Sequence, residues 1–385
     1  MLGKLITGWK AVTQLGVEPV LLNALYRFGL RVGHFRRVTP GVAQEDGAAP
    51  TPELALDDLL PPDFAQTATA FAAANPLRVE EVVREAREIC SGQVRLFGGD
   101  ALALQWTPAA PLLHWTAYEG RSPGPDEDPD IKIIWEPARF GWALTLARAY
   151  LFTADNGYAH FFWEQWEQFL AANPPNRGPN WASGQEVALR LISLSLAASA
   201  FRASAQSTPA RMRRLARSLA QHAARIPPTL LYARAQNNNH LLTEAAGLLT
   251  AAAALPGLPQ ARKWQRLGWT WLERGLLAQI SPDGVYAQHS ANYHRLMLQT
   301  ALWARHIVLR RGMDFSPRVL ARLGAATRWL LARIDPLSGG GLNLGSNDGA
   351  YILPLASGSN QDYRPVAQAA ALSFLGQPAF PSGAW

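Results

Sequence analysis

The chain has 385 residues, is 48% hydrophobic, and carries 36 Lys plus Arg against 29 Asp plus Glu, a net charge of +7. Its single cysteine, Cys90, excludes an intrachain disulfide and a cysteine-based metal site. No run of about 18 apolar residues is present to span a membrane. All cations but Lys4, Lys10, Lys132 and Lys263 are arginines. A basic chain suits a polyanion such as nucleic acid, acidic lipid or acidic polysaccharide, and the guanidinium fork suits carboxylate, sulfate or phosphate. A GC-rich genome is the blander source of the arginine bias.

The opening "MLGKLITGWKAV" lacks a continuous apolar core and a small-residue cleavage site. No signal peptide is expected, and the cytoplasm is the expected compartment. The stretch to Arg37 predicts one or two helices. Arg36 to Asp63, rich in Pro, Gly and acids, predicts a linker or irregular arm. A second helical passage follows at 76–91. Leu96 to Gly120 is the one strand-like region of the first half.

Helical periodicity then dominates, predicting helices at 137–153, 156–172, 184–203, 209–225, 240–255, 260–280, 291–311, 317–334 and 363–376. Thr208-Pro209 and Ser316-Pro317 each place an N-cap before a first-turn proline. Ser183 with Glu186 fits a capping box. Connections alternate between short (154–155, 204–208, 256–259, 312–316) and long (97–136, 173–183, 226–239, 281–290, 335–362). Short turns make consecutive helices antiparallel, so the long loops should emerge on one face. The expected fold is all-α: an incomplete (α/α) toroid of helix hairpins over 63–385, preceded by an irregular N-terminal arm over 1–62. An irregular helical bundle or solenoid is the rival.

The long loops gather the polar motifs. "AQNNNHLLTEAAGLL" sets Asn237, Asn238, Asn239 and His240 at a helix mouth. Capping explains one amide, not three. "NPPNRGPNWASGQE" holds Asn180, Trp181 and Glu186; "SPDGVYAQHSANYHR" holds Asp283, His289, Tyr293, His294 and Arg295; "GGGLNLGSNDGAY" holds Asn343, Asn347 and Asp348. Each has a plainer reading. Tyr293 could be core and His294 a surface histidine, Asp283-Gly284 an ordinary turn, and Trp181 one of 14 packing tryptophans. His289 and His294 are five apart, and neither HExxH nor GxSxG occurs, so no metal is expected and a Ser-His-Asp triad has little support. Two-carboxylate glycoside hydrolysis would need a pair among Glu186, Glu244, Asp283 and Asp348.

Five motifs resemble, in order, the heparinase II/III-like polysaccharide lyases, which include heparin-sulfate and oligo-alginate lyases. They are "DIKIIWEPARFGWALTLARAY" from Asp130, "NPPNRGPNWASGQEVALR" from Asn173, "NNNHLLTEAAGL" from Asn237, "DGVYAQHSANYHR" from Asp283 and "NLGSNDGAYILPL" from Asn343. The early "VEPVLLNALYRFGLRVGHFRRVTP" is also similar. The resemblance implies an α/α toroid followed by an antiparallel β-sandwich, and β-elimination at a uronic acid. It assigns Asn239 and His240 to the uronate carboxylate and Tyr293 to proton transfer. Trp181, His289, Arg295 and Asn347 become candidate substrate contacts. No cofactor or nucleic acid is implied, and the partner is an acidic polysaccharide. The sequence departs from the pattern at its end: no run of alternating strands follows, so the sandwich is expected to be absent. The chain is then a fragment, a subunit completed by a separate sandwich, or a degenerate member. The resemblance offers the periplasm as the alternative compartment. A non-catalytic glycan-binding toroid and a toroid-type glycoside hydrolase are the other functions left open.

Overall fold

The computed structural model describes residues 12–13, 16–41, 52–57, 59–106, 111–119, 131–347, 351–356 and 358–381. Asp130, Asp348 and residues 42–51 and 58 of the linker expected within 36–63 lie outside them. Two helices open the described chain, α1 (Val17–Arg31) and α2 (His34–Val38), separated by a left-handed Gly33. Next come α3 (Phe64–Ala74) and α4 (Pro76–Cys90). Within the strand-like region 96–120 only β2 (Ala101–Ala103) is a strand; it pairs antiparallel with β1 (Gln93–Arg95), just ahead of that region, in the one sheet among the described residues, and Trp115–Ala117 is a turn of 3-10 helix.

The helix predicted at 137–153 is two helices, α5 (Ile131–Ala138) and α6 (Trp142–Thr153). Pro137 lies in the last turn of α5, and Phe140 is left-handed at φ 58°. Burial holds it there: its ring stacks on Trp106 at 5.5 Å and meets Phe169 edge-on at 5.3 Å. The remaining helices are α7 (Asn156–Ala172), α8 (Gly184–Phe201), α9 (Pro209–Gln236), α10 (Asn239–Ala254), α11 (Ala261–Gln279), α12 (Ala291–Leu309), α13 (Pro317–Leu331) and α14 (Arg364–Leu375). Thr208 and Ser316 cap α9 and α13 as expected, ahead of Pro209 and Pro317. The Ser183–Glu186 capping box does not form. Ser183 accepts no cap bond, and the Glu186 side chain turns instead to a buried ion pair with Arg139.

Burial separates an inner from an outer set of helices. Every residue of α8 is buried, and so is every residue of α10 except His240. A helix covered all round belongs inside. By contrast, α9, α11 and α13 bury one stripe each. This alternation is the all-α, incomplete (α/α) toroid of antiparallel hairpins. Inner helices approach closely: a Cβ on Gly247 would lie 2.7 Å from the Ala188 Cβ.

One long loop expected on the polar face is absent. The sequence reading ended a helix at 225, before Pro227-Pro228, yet α9 continues to Gln236 and joins α10 through Asn237 and Asn238 alone. An interior proline costs about 3 kcal/mol, and flanking burial offsets it. Arg225, 1% exposed, donates from Nε to the Trp181 carbonyl (3.2 Å), from Nη2 to the Ala182 carbonyl (3.0 Å) and from Nη1 to Thr229 Oγ1 (2.7 Å). Its guanidinium also lies 3.8 Å from the Trp115 ring centroid. Arg225→Ala should therefore lower unfolding stability by about 3 kcal/mol or more, since the Trp181 and Ala182 carbonyls lose charged donors. A urea midpoint equal to wild type would show that this anchor is dispensable.

Candidate active site

Each of the three consecutive asparagines does something different. Asn237 is left-handed at φ 45° and ends α9. Asn238 is the cap of α10; its Oδ1 accepts from the His240 N–H at 3.0 Å. Asn239 is the first helical residue, and its side chain turns inward: Nδ2 donates to Gln185 Oε1 at 3.1 Å. Its backbone N–H donates to Gln288 Oε1 at 3.0 Å. Capping thus falls to Asn238, which frees the Asn239 amide for another purpose.

Gln279 ties this turn to the next loop. Its Nε2 donates to Asn237 Oδ1 and to the Asn238 carbonyl, both at 3.1 Å, while its Oε1 accepts from the Tyr286 hydroxyl at 2.9 Å. Tyr286 is fully buried, and burial, with nearby Tyr293, pushes its hydroxyl well above the usual tyrosine range. The 280–290 loop carries Gln288 to Asn239 and Ser290 to the start of α12. There Ser290 Oγ accepts from the Tyr293 N–H at 3.1 Å and donates to the Ser346 carbonyl at 2.5 Å. The Ala291 N–H donates to the Leu344 carbonyl at 3.0 Å. The motifs from Asn237, Asp283 and Asn343, together with Gln185, therefore converge at one end of the inner helices.

Of the residues singled out in the sequence, Asn239 is 3% exposed, and His240 and Tyr293 are half-buried at this junction. His289, left-handed at φ 49°, and Asn347 are exposed beside it. Two expected substrate contacts are corrected. Trp181 is 1% exposed; its Nε1 donates to the Asn173 carbonyl at 3.3 Å and its ring packs 4.6 Å from His222, so no face is offered to a sugar. Arg295 is 2% exposed, held over the rings of Tyr363 (4.2 Å) and Tyr351 (4.6 Å), and donates to the Asn360 carbonyl and to Asn292 Oδ1 (3.0 Å). It pins Tyr351, Asn360 and Tyr363 to α12. His294 is the reverse of a surface histidine. Its Nε2 pairs with the Ala326 carbonyl at 2.9 Å, its ring stacks on Trp329, and burial lowers its pKa to about 4.

Helix-end donors are also accounted for. The first N–H groups of α10 go to Gln288, to Asn238 Oδ1 and to the Asn238 carbonyl. The helix dipole still favours an anion there, but these N–H groups are already committed.

Of the candidate carboxylates among the described residues, two are held inside the fold. Glu186 is bidentate with Arg139, at 2.6 and 2.9 Å. Asp283 is exposed in its turn, where the Ser281 hydroxyl holds its pKa low. Glu244 is buried with Oε2 unpartnered, and burial raises its pKa to about 8 against the partial relief from Arg225. It lies against the first turn of α8: a Cβ on Gly184 would fall 2.7 Å from the Glu244 carboxyl. Composition alone could not have flagged Gln185, Gln279, Gln288 or Tyr286. Only their convergence marks them.

A family model described as Heparinase II/III N-terminus matches residues 113–316, more than half of the chain. The chain belongs to the heparinase II/III family. It is 28% identical over 159 residues to a heparin-sulfate lyase of Bacteroides thetaiotaomicron, covering 40% of this chain and 22% of that protein. It is 27% identical over 170 residues to one of Pedobacter heparinus, covering 43% and 25%. Among solved structures, heparinase III matches over 97% of this chain and 51% of its own, with TM-score 0.54 and 16% identity. The Pedobacter heparinus heparan sulfate lyase matches over 86% and 46%, with TM-score 0.51 and 20% identity. These likenesses support the fold. The chain spans about half the length of the structures it matches.

The buried carboxyl generates a pH prediction. Glu244 holds its proton to about pH 8 in the folded chain, whereas an ordinary carboxyl releases it near 4.5. Between those values the folded state binds more protons, so stability falls as pH rises, by up to about 1.4 kcal/mol per unit. Glu244→Gln should flatten that slope and gain on wild type as pH approaches 8. Urea midpoints at about pH 5, 6.5 and 8 measure it. An unchanged slope would show that Glu244 ionises like a surface carboxyl.

Proposed function

We propose that this chain forms the helical half of a lyase that cleaves uronic-acid-containing acidic polysaccharide by β-elimination. The observation that carries the reading is the fixed Asn239 amide beside His240, the one residue of α10 that is not buried. The proton next to a uronate carboxylate is weakly acidic, and removing it places a second negative charge on an enolate-like transition state. Asn239, with one Nδ2 hydrogen committed to Gln185, has the other to donate to the carboxylate. His240 supplies a second polar contact to the same charge. Tyr293 takes the proton, delivers one to the departing glycosidic oxygen, or does both. The products are a new chain end and a C=C bond conjugated to the carboxylate. Hydrolysis by a Glu186–Glu244 pair is disfavoured, because Glu186 is consumed by Arg139 and Glu244 is buried and protonated near neutrality. The reading includes a β-sandwich, in the same polypeptide or on a partner, that closes the cleft against water and strengthens these charge contacts.

The test is ultraviolet absorbance of the conjugated product on acidic glycans, with and without a supplied family sandwich domain. The sandwich should raise kcat far more than affinity. Tyr293→Phe should lose roughly 10²-fold or more in rate with binding little changed. Asn239→Ala should also lose preference for the free uronate over its methyl ester. Gln185→Leu should follow Asn239→Ala in direction, since it releases the amide. Reducing ends without new absorbance would indicate a hydrolase. Salt-sensitive binding without either would indicate a glycan-binding toroid.

A further inference from the structure

Helix α1 is apolar on two faces, and only one of them is covered. Tyr26 and Gly29 are buried against the toroid, with the Tyr26 ring stacked on Tyr232 of α9 at 4.3 Å. Beside that face Val17, Leu21, Leu25 and Phe28, continued by the C-cap Val32, follow one another at intervals of 4, 4, 3 and 4 residues. That spacing is one continuous helical stripe. All five are between 44% and 68% exposed. Scattered exposed apolar residues are ordinary, but five aligned on one helix are an interaction surface.

The charges around the stripe select its partner. Arg27 and Arg31, four apart, run along one flank and are exposed; Arg36 and Arg37 follow on α2, also exposed. The one acid of this segment, Glu18, is paired with Arg234 at 2.8 Å. Upstream, the first 17 residues contain Lys4 and Lys10, Trp9, and no acidic residue. A sugar polymer would satisfy the arginines but not the aliphatic and phenyl side chains. A second copy of this chain would satisfy the apolar stripe but would bring like charges together. An anionic lipid surface satisfies both, because it takes apolar side chains at the acyl boundary and guanidinium groups at the headgroups. Among the described residues no helix is long and apolar enough to cross a membrane, so such a helix lies on the surface.

We propose that α1 is a membrane-docking helix that seats the toroid on anionic lipid through Val17, Leu21, Leu25, Phe28 and Val32, with Arg27 and Arg31 at the headgroups. Its inner face stays on α9, so docking needs no unfolding. The helix then anchors the enzyme body to a bilayer rather than contributing to the cleft.

The experiment is co-sedimentation of the full chain with phosphatidylcholine vesicles, with and without about one third phosphatidylglycerol. Binding is expected to the anionic vesicles, much less to the neutral ones, and to weaken as salt rises. Leu25→Glu with Phe28→Glu should abolish it while leaving the thermal midpoint in place, since both side chains face outward. Arg27→Glu with Arg31→Glu should weaken it by about tenfold or more at low salt. Three results would overturn the proposal. One is no binding of wild type to anionic vesicles. Another is a midpoint that drops in the Leu25/Phe28 variant, meaning the chain's own first residues cover the stripe. The third is a dimer in sedimentation that the same variant dissolves, meaning a second copy does. None of these touches the lyase assay.

Discussion

Two glutamine carbonyls hold Asn239, and the rest of the candidate site depends on them. Gln185 takes the side-chain amide and Gln288 takes the backbone N–H. The partners lie 54 and 49 residues away in sequence, at the start of α8 and in the loop before α12. No local segment can build this arrangement. The inner helices must first pack, with Gly247 letting α8 and α10 approach, before the three termini can meet. A polar group fixed in this way costs little reorganisation when a charge develops beside it, which is how preorganised donors stabilise transition states. Tyr286, through Gln279, secures the same turn from the other side.

Periodicity made the helices legible because the amphipathic outer helices carry a strong 3.6-residue signal and their caps are spelled out by Thr208-Pro209 and Ser316-Pro317. It failed where tertiary packing overrode local preference. Pro227-Pro228 should stop a helix, yet the anchors of Arg225 on one side and buried Thr229 and Leu230 on the other carry it through. Phe140 breaks a helix that the pattern runs unbroken, because its ring has a better place among Trp106 and Phe169. In the site, the NNNH cluster stands out in the sequence, and it lies at the mouth of α10. The division of labour among its amides was illegible, since it depends on partners distant in sequence. Trp181 and Arg295 misled for the same reason. An aromatic or a cation in a polar motif looks like a ligand contact until its own partners are known.

The arginine surplus has a similar double meaning. Arg139, Arg190, Arg225 and Arg295 are inside the protein. Arg190 donates to the Ala138 and Asn180 carbonyls at 2.9 and 2.6 Å, and burial lowers its pKa to about 9. Arg225 does the same for the loop ending at Ala182, and burial lowers it to about 10. Irregular loop backbone that enters a core leaves carbonyls that no helix can satisfy. A guanidinium, with five donors in one plane, satisfies several at once where lysine could not. Part of the positive charge therefore supports the loops and does not attract a polyanion. The outward share includes the row on α1 and α2.

The same reasoning bears on what chemistry this cleft can perform. Acid–base hydrolysis needs two carboxyl groups free to face substrate with opposite protonation. Here Glu186 is ion-paired and Glu244 is buried against Gly184. Glu186 ties α8 to Arg139, and Glu244 packs α10 against the first turn of α8. Among the described residues, the junction brings together the buried Asn239 amide, the half-buried His240 imidazole and the half-buried Tyr293 phenol, with His289 and Asn347 exposed beside them. An amide and an imidazole carry no negative charge, and a phenol carries one only once it has given up its proton, so all three tolerate an anionic sugar beside them. A carboxylate pair would repel that sugar. A site built on Asn239, His240 and Tyr293 therefore suits a substrate whose own charge increases during reaction, which is the electrostatic demand of elimination next to a uronate under the proposed reading.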